Sequence, residues 1–205
     1  MKIIISFIFL ISSVTFSQWV NLNPVQLYED LVKIDFIDQN TGCIVGNYGI
    51  VLFTSDGGNN WVNRNISSEN LKFVDFVDAN TGYVSSEENN LYKTTNGGLN
   101  WSLLNTGGYN PIISFCFINA NSGIVAAGTN LIRTTNGGNN WNSILTGGSD
   151  RYFIYPFFLN SATGYVSSFN GEILKTTNFG NNWVSRNAPW GRLFFVNENT
   201  GWVYS

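Results

Sequence analysis

Three arginines, Arg151, Arg186 and Arg192, lie within 42 residues of one another in the C-terminal third of the chain, and Trp190, Tyr109 and Tyr48 fall in comparable connecting segments. Guanidinium groups present paired N–H donors that match a carboxylate, and aromatic faces cover the apolar part of a ligand. Residues of these types can hold an acidic peptide, a glycan or a small carboxylate. The plainer assignment for Arg186, as for Arg64, is the solvated end of a strand. Other chemistry is poorly served. The chain has no histidine, which excludes His-based triads, His-ligated zinc and a His pH switch. Glu87 and Glu88 sit in a turn-forming stretch with no tyrosine beside them, and no pair of acids declares the roughly 5–9 Å separation used in glycoside hydrolysis. Asp38-x-Asn40-x-Gly42 and Asp78-x-Asn80-x-Gly82 imitate the start of a calcium loop but lack its distal bidentate glutamate. Two later copies begin with Asn119 and Asn197, so a side-chain-bonded turn is the simpler reading. A formal charge of −3 and a pI near 4.8 supply no field for a nucleic-acid backbone. The sequence therefore declares no catalytic residue, no metal site and no cofactor.

The elements that must position the arginines are set by a repeat. Trp61, Trp101, Trp141 and Trp183 recur at intervals of 40, 40 and 42 residues, each closing an octet: TSDGGNNW, TTNGGLNW, TTNGGNNW and TTNFGNNW. A second signature keeps the same period: FIDQNTG (36–42), FVDANTG (76–82), FINANSG (117–123), FLNSATG (158–164) and FVNENTG (195–201). Each unit reads as four short strands, for example LKFVDFV, GYVSS, LYKTT and WSLLN in the second. Four antiparallel strands every 40 residues is the spacing of β-propeller blades. In the octet the glycines supply positive φ, the Asn or Asp side chain accepts N–H groups of the turn, and the Trp folds back over the hairpin. The octet is construction rather than chemistry.

The S/T-x-D-x-G-x-x-W pattern resembles the Asp-box of BNR-repeat propellers. It is carried by Thr54, Asp56, Gly58 and Trp61, by Thr94, Asn96, Gly98 and Trp101, by Thr134, Asn136, Gly138 and Trp141, and by Thr176, Asn178, Gly180 and Trp183. Together with F-x-D-x-x-T-G, the unit looks most like the photosystem II stability/assembly factor type of propeller, across residues 19 to 205. Asn in place of Asp in three of the four copies shows that a neutral acceptor suffices there. Phe179 in place of the first glycine implies a locally different turn in the fourth octet. The resemblance implies an exported, non-catalytic binding or assembly scaffold. Sialidases share the Asp-box and grip a carboxylate with three arginines, so a sialidase-like glycoside hydrolase is the alternative, although no F/Y-R-I-P start is present.

The expected architecture is an all-β propeller of four complete blades, at about 31–64, 71–104, 112–145 and 152–186, plus a partial fifth at 192–205, as part of a larger propeller. Chain direction puts the FxDxxTG turns and the octets on one face. The variable connections, which carry the arginines, fall on the other, where binding of a protein or glycan is expected. Residues 1–17, with Lys2 ahead of an apolar run, read as a signal peptide, and a retained signal anchor is the alternative. A secreted, periplasmic or cell-surface location follows, with no membrane segment in the mature region 18–205. Cys43 and Cys116 belong to blades one and three, too far apart for the roughly 7 Å Cα separation of a disulfide, and are expected to be buried free thiols.

Overall fold

A computed structural model of the chain describes residues 30–149, 151–189 and 191–204. The signal-peptide reading, Trp19 and Trp190 lie outside these residues. Four four-stranded antiparallel sheets follow one another, each with its strands in chain order. The first holds β1 (Leu31–Phe36), β2 (Gly42–Gly46), β3 (Val51–Thr54) and β4 (Val62–Asn63). The second holds β5 (Leu71–Phe76), β6 (Gly82–Ser86), β7 (Leu91–Thr94) and β8 (Ser102–Leu104). The third is β9 (Ile112–Phe117), β10 (Gly123–Ala127), β11 (Asn130–Thr134) and β12 (Asn142–Thr146), and the fourth β13 (Phe153–Phe158), β14 (Gly164–Ser168), β15 (Glu172–Thr176) and β16 (Val184–Asn187). A fifth sheet pairs β17 (Arg192–Asn197) with β18 (Thr200–Tyr204) alone.

The blades stack face to face, so the core lies between them rather than inside any one. Cys43, Val45 and Val51 of the first sheet meet Leu71, Val74, Phe76 and Val84 of the second in one buried cluster, and the later interfaces repeat the arrangement. Strands β6, β10 and β14 are buried along their whole length because a blade covers each face and a strand lies on each edge. Where no neighbour packs, the pattern fails. Strand β1 is largely exposed, as are Trp202 and Tyr204 of β18.

The second signature has a packing cause that its turn chemistry alone does not give. The ring of Phe76 lies flat on Gly82, where an added Cβ would stand 2.7 Å from it, and Phe36 covers Gly42 in the same way at 2.8 Å. A phenylalanine therefore requires glycine six residues later. In three blades this ring also stands perpendicular to the octet tryptophan, at 6.2 Å for Phe36–Trp61, 6.0 Å for Phe76–Trp101 and 6.2 Å for Phe117–Trp141. The two repeated motifs are halves of one contact.

The octets share one set of hydrogen bonds. Thr54 Oγ1 accepts the Gly58 N–H at 2.9 Å and donates to Asp56 Oδ1 at 2.9 Å, and Asp56 Oδ1 accepts the Asn60 N–H at 2.8 Å. Thr134, Asn136, Gly138 and Asn140 repeat the set at 2.9, 3.0 and 2.9 Å. Because the bonds common to all four octets use only Oδ1 of the Asn or Asp, Asn136→Asp is expected to leave stability within about 0.5 kcal/mol of wild type in urea melts. A loss of several kcal/mol would overturn the reading of the octet as a neutral turn.

The fourth octet corrects an expectation. Its turn is not different. Phe179 adopts φ 53, where Gly137 has φ 69, and the bonds of Thr176, Asn178 and Gly180 match the other copies. Left-handed backbone costs a non-glycine residue on the order of 1–3 kcal/mol. The Phe179 ring offsets this by packing edge-on against Phe158 at 5.5 Å and beneath the Arg133 guanidinium at 5.5 Å. Cys43 and Cys116 are both free thiols; Cys43 is buried, whereas Cys116 is only half-buried.

Candidate functional site

The two faces separate as chain direction requires. On the first, each octet bonds to its blade's FxDxxTG turn, as in Gly57 N–H to Asn40 O at 2.8 Å and Gly97 N–H to Asn80 O at 2.8 Å. On the other, connections bond to hairpin turns: Gly49 N–H to Glu69 O at 2.6 Å and Glu87 N–H to Asn70 O at 2.8 Å. Asp38 Oδ1 accepts the Asn40 and Thr41 N–H groups at 2.7 and 2.8 Å, which is the side-chain-bonded turn rather than a cation loop.

The sequence-selected residues do not gather into a single cluster. Arg151 pairs through Nε with Glu172 Oε2 at 2.7 Å. Arg186 stands on β16 opposite Ile173 and opens into a groove between the fourth and fifth sheets. Tyr109 is half-buried against the cluster of Tyr83, Leu91 and Ile112. Tyr48 is 67% exposed at the tip of a short turn. Arg192 alone reaches the centre. Its guanidinium lies 5.2 Å over the Tyr155 ring, with the phenol oxygens of Tyr155 and Tyr204 as hydrogen-bond acceptors.

That centre is a cavity of about 150 Å³ where the innermost strands begin, on the variable face. One residue from each blade lines it at the same level: Lys33, Phe73, Ser114, Tyr155 and Arg192. Each stands three residues before the repeated phenylalanine of its blade, so the repeat places five different side chains in one layer. Ser114 is spent on structure, since its Oγ accepts the Tyr155 N–H at 2.9 Å. Lys33 and Arg192 enter from opposite ends of the arc, and neither forms a salt bridge among the described residues. Phe115 and Phe157 add apolar wall. Two cations, two phenols and aromatic sides suit an anionic group carried on a small apolar body.

Two residues further along the same strands, acids tie blade to blade. Asp35 Oδ2 accepts the Phe76 N–H at 2.8 Å and Asp75 Oδ2 the Phe117 N–H at 3.2 Å. Burial raises both carboxyls, Asp75 to about 6 with the Asp35 charge adding to the effect. An unfolded aspartate titrates near 3.9. The raised value therefore favours the fold fully below that pH, and this contribution is lost as the pH rises through about 6. Asp75→Asn keeps an acceptor for the Phe117 N–H and has nothing to ionise. Its urea midpoint is expected to fall less than that of wild type between about pH 4 and pH 7. Equal falls in the two proteins would show that Asp75 does not ionise at a cost.

Comparison with known proteins follows the same lines. A family model described as the photosystem II assembly factor YCF48 matches residues 11–107. The structure of YCF48 from Cyanidioschyzon merolae superposes with a TM-score of 0.64 at 21% identity, covering 83% of this chain and 60% of that one. The chain has the propeller fold of these structures and, over just under half its length, is similar in sequence to the photosystem II assembly-factor type of BNR repeat. It spans 60% of the length of that first structure. A YCF48 bound to D1 peptide superposes at a TM-score of 0.52 and 18% identity, over 85% of this chain and 76% of that one. An ancestral GH74 enzyme is similar at 0.59 and 22% identity, over 82% of this chain but only 25% of its own length. At these identities the likeness is one of fold. No curated protein matches the sequence significantly. In this propeller the octets hold the blades' outer turns, and the cavity-lining layer is what varies from blade to blade.

Proposed function

We propose that this propeller is an exported, non-catalytic scaffold that binds an acidic segment of a protein partner at the mouth of its central cavity. The observation that carries the reading is the pairing of Lys33 and Arg192 in one aromatic-walled cavity, with neither cation in a salt bridge among the described residues. A structure titled as YCF48 bound to D1 peptide supports a peptide as the kind of ligand such a propeller accepts. Carboxylate recognition by a guanidinium is bidentate and strong where water is excluded, and the cavity admits one such group at a time. An exported location rests on the apolar run after Lys2, and no helix among the described residues is long and apolar enough to cross a membrane.

The test is fluorescence anisotropy with a labelled pentapeptide carrying two glutamates and a counterpart carrying glutamines. The acidic peptide is expected to bind, and Arg192→Ala and Lys33→Ala each to weaken it by about tenfold, the scale of one charged hydrogen-bonded contact. Equal affinity for the two peptides would overturn the proposal. So would turnover of a fluorogenic glycoside that is abolished by Arg151→Ala or Arg192→Ala, because that assigns the arginines to a hydrolase.

A further inference from the structure

Between the first and second blades the repeat departs from itself twice at one place. Three residues after the octet tryptophan the first three blades carry Arg64, Leu104 and Ile144. Leu104 and Ile144 reach over the next blade's octet. A Cβ added at Gly138 would stand 2.6 Å from Leu104 Cδ1, and one at Gly180 2.5 Å from Ile144 Cδ1. At Gly98 the nearest atom belongs to its own Trp101, at 3.6 Å, with Arg64 Nη1 at 3.9 Å. The second departure is Leu99. The other octets have asparagine there, and each is bonded. Asn59 Nδ2 and Asn139 Nδ2 donate to the Asp56 and Asn136 carbonyls at 2.6 and 3.0 Å, and Asn181 Oδ1 accepts from Arg133 at 2.8 Å. Leu99 has no such bond to make and is 63% exposed.

Arg64 and Leu99 border one cavity of about 320 Å³, with Asn65, Asn100 and Trp101 in its lining. That volume is within the range of small-molecule sites. The guanidinium is held in place. It lies 4.7 Å over the Phe53 ring, and Nη1 donates to the Gly97 carbonyl at 2.9 Å. The main chain behind it is tied to the first blade, Arg64 N–H to Val51 O at 2.7 Å and Ile66 N–H to Gly49 O at 3.1 Å. Arg64 forms no salt bridge among the described residues. The side chains of Asn65 and Asn100 are exposed, and neither carboxamide is bonded among the described residues.

We propose that this cavity binds an acidic sugar, a uronic acid residue of a polysaccharide. A guanidinium matches a carboxylate with two parallel N–H donors. Each carboxamide offers donors and an acceptor together, which suits hydroxyl groups that both donate and accept. The indole of Trp101 and the side chain of Leu99 cover the apolar C–H face of the ring. A peptide carboxylate would engage the cation and leave both carboxamides idle. The site shares no residue with the central cavity, so it stands or falls separately from peptide binding there.

Isothermal titration of the full chain with trigalacturonate tests this, with the methyl-esterified trimer as the uncharged counterpart. Saturable one-to-one binding of the acid is expected, with the ester weaker by about tenfold or more. Arg64→Leu places at this interface the residue type that Leu104 supplies at the next, and its fold is checked by circular dichroism. It is expected to weaken the acid by about tenfold, and Asn100→Ala by about threefold, the scales of a charged and a neutral hydrogen-bonded contact. Asn100→Ala keeps the main-chain bond from Asn100 N–H to Asn96 Oδ1 at 2.9 Å, so it tests the site without removing a contact of the octet. Arg192→Ala should leave the affinity unchanged. No binding to the folded chain would overturn the proposal, as would an ester that binds as well as the acid. A loss on Arg192→Ala equal to that on Arg64→Leu would move the sugar to the central cavity and overturn it. Displacement of the trimer by an equal concentration of the two-glutamate peptide would make the site one for any carboxylate, and overturn it as well.

Discussion

Trp141→Ala is expected to destabilise the propeller by about 3 kcal/mol, and Trp101→Ala by a similar amount, measured as shifts of the urea midpoint. The indoles are half-buried, and each makes a T-shaped contact with a phenylalanine about 6 Å away, Phe117 for Trp141 and Phe76 for Trp101. Truncation removes that contact and leaves the Phe ring, which already covers Gly123 or Gly82, without its outer partner. The effect falls at the low end of the range for large aromatics for a specific reason. The indole N–H groups of Trp101 and Trp141 are buried without an acceptor among the described residues, so alanine also relieves an unpaired donor. A loss below 1 kcal/mol would separate the two motifs that the structure joins.

Thr134→Val is expected to cost about 2–3 kcal/mol although it changes hardly any volume. Thr134 is fully buried, and its one oxygen accepts the Gly138 N–H at 2.9 Å and the Asn136 N–H at 3.3 Å while donating to Asn136 Oδ1 at 3.0 Å. Valine leaves the Gly138 N–H in a buried position with nothing to bond. Thr134→Ser retains the oxygen and is expected to cost under half as much in the same melts, which separates the hydrogen bonds from the packing of the methyl group. A valine variant as stable as the serine one would show that the turn's glycines, at φ 69 and 92, hold it without the hydroxyl.

The blades were legible because their determinants repeat. The spacing of the tryptophans and of FxDxxTG fixes four strands per 40 residues, and the glycine that ends each FxDxxTG motif is explained by a ring that would clash with any Cβ. The site was less legible for the same reason. Lys33, Phe73, Ser114, Tyr155 and Arg192 occupy the repeat position that is not repeated, so periodicity passes over them. The signal was available as an offset of three residues before each repeated phenylalanine, and only Arg192 was picked out, on charge alone. Arg151 and Arg186 looked equivalent to it in sequence, but Arg151 pairs with Glu172 and cross-strand register sends Arg186 to the groove between the fourth and fifth sheets. The reading of Phe179 failed through a propensity argument: the ring found two partners, and those outweigh the cost of its backbone.

Amide hydrogen exchange with and without the two-glutamate peptide tests most directly the claim that the repeated face builds and the opposite face binds. Protection is expected in the segments that line the central cavity, around Lys33, Tyr155, Arg192 and Tyr204, while the octets at 54–61, 94–101, 134–141 and 176–183 exchange as before. Protection centred on the octets, with the cavity segments unchanged, would contradict it.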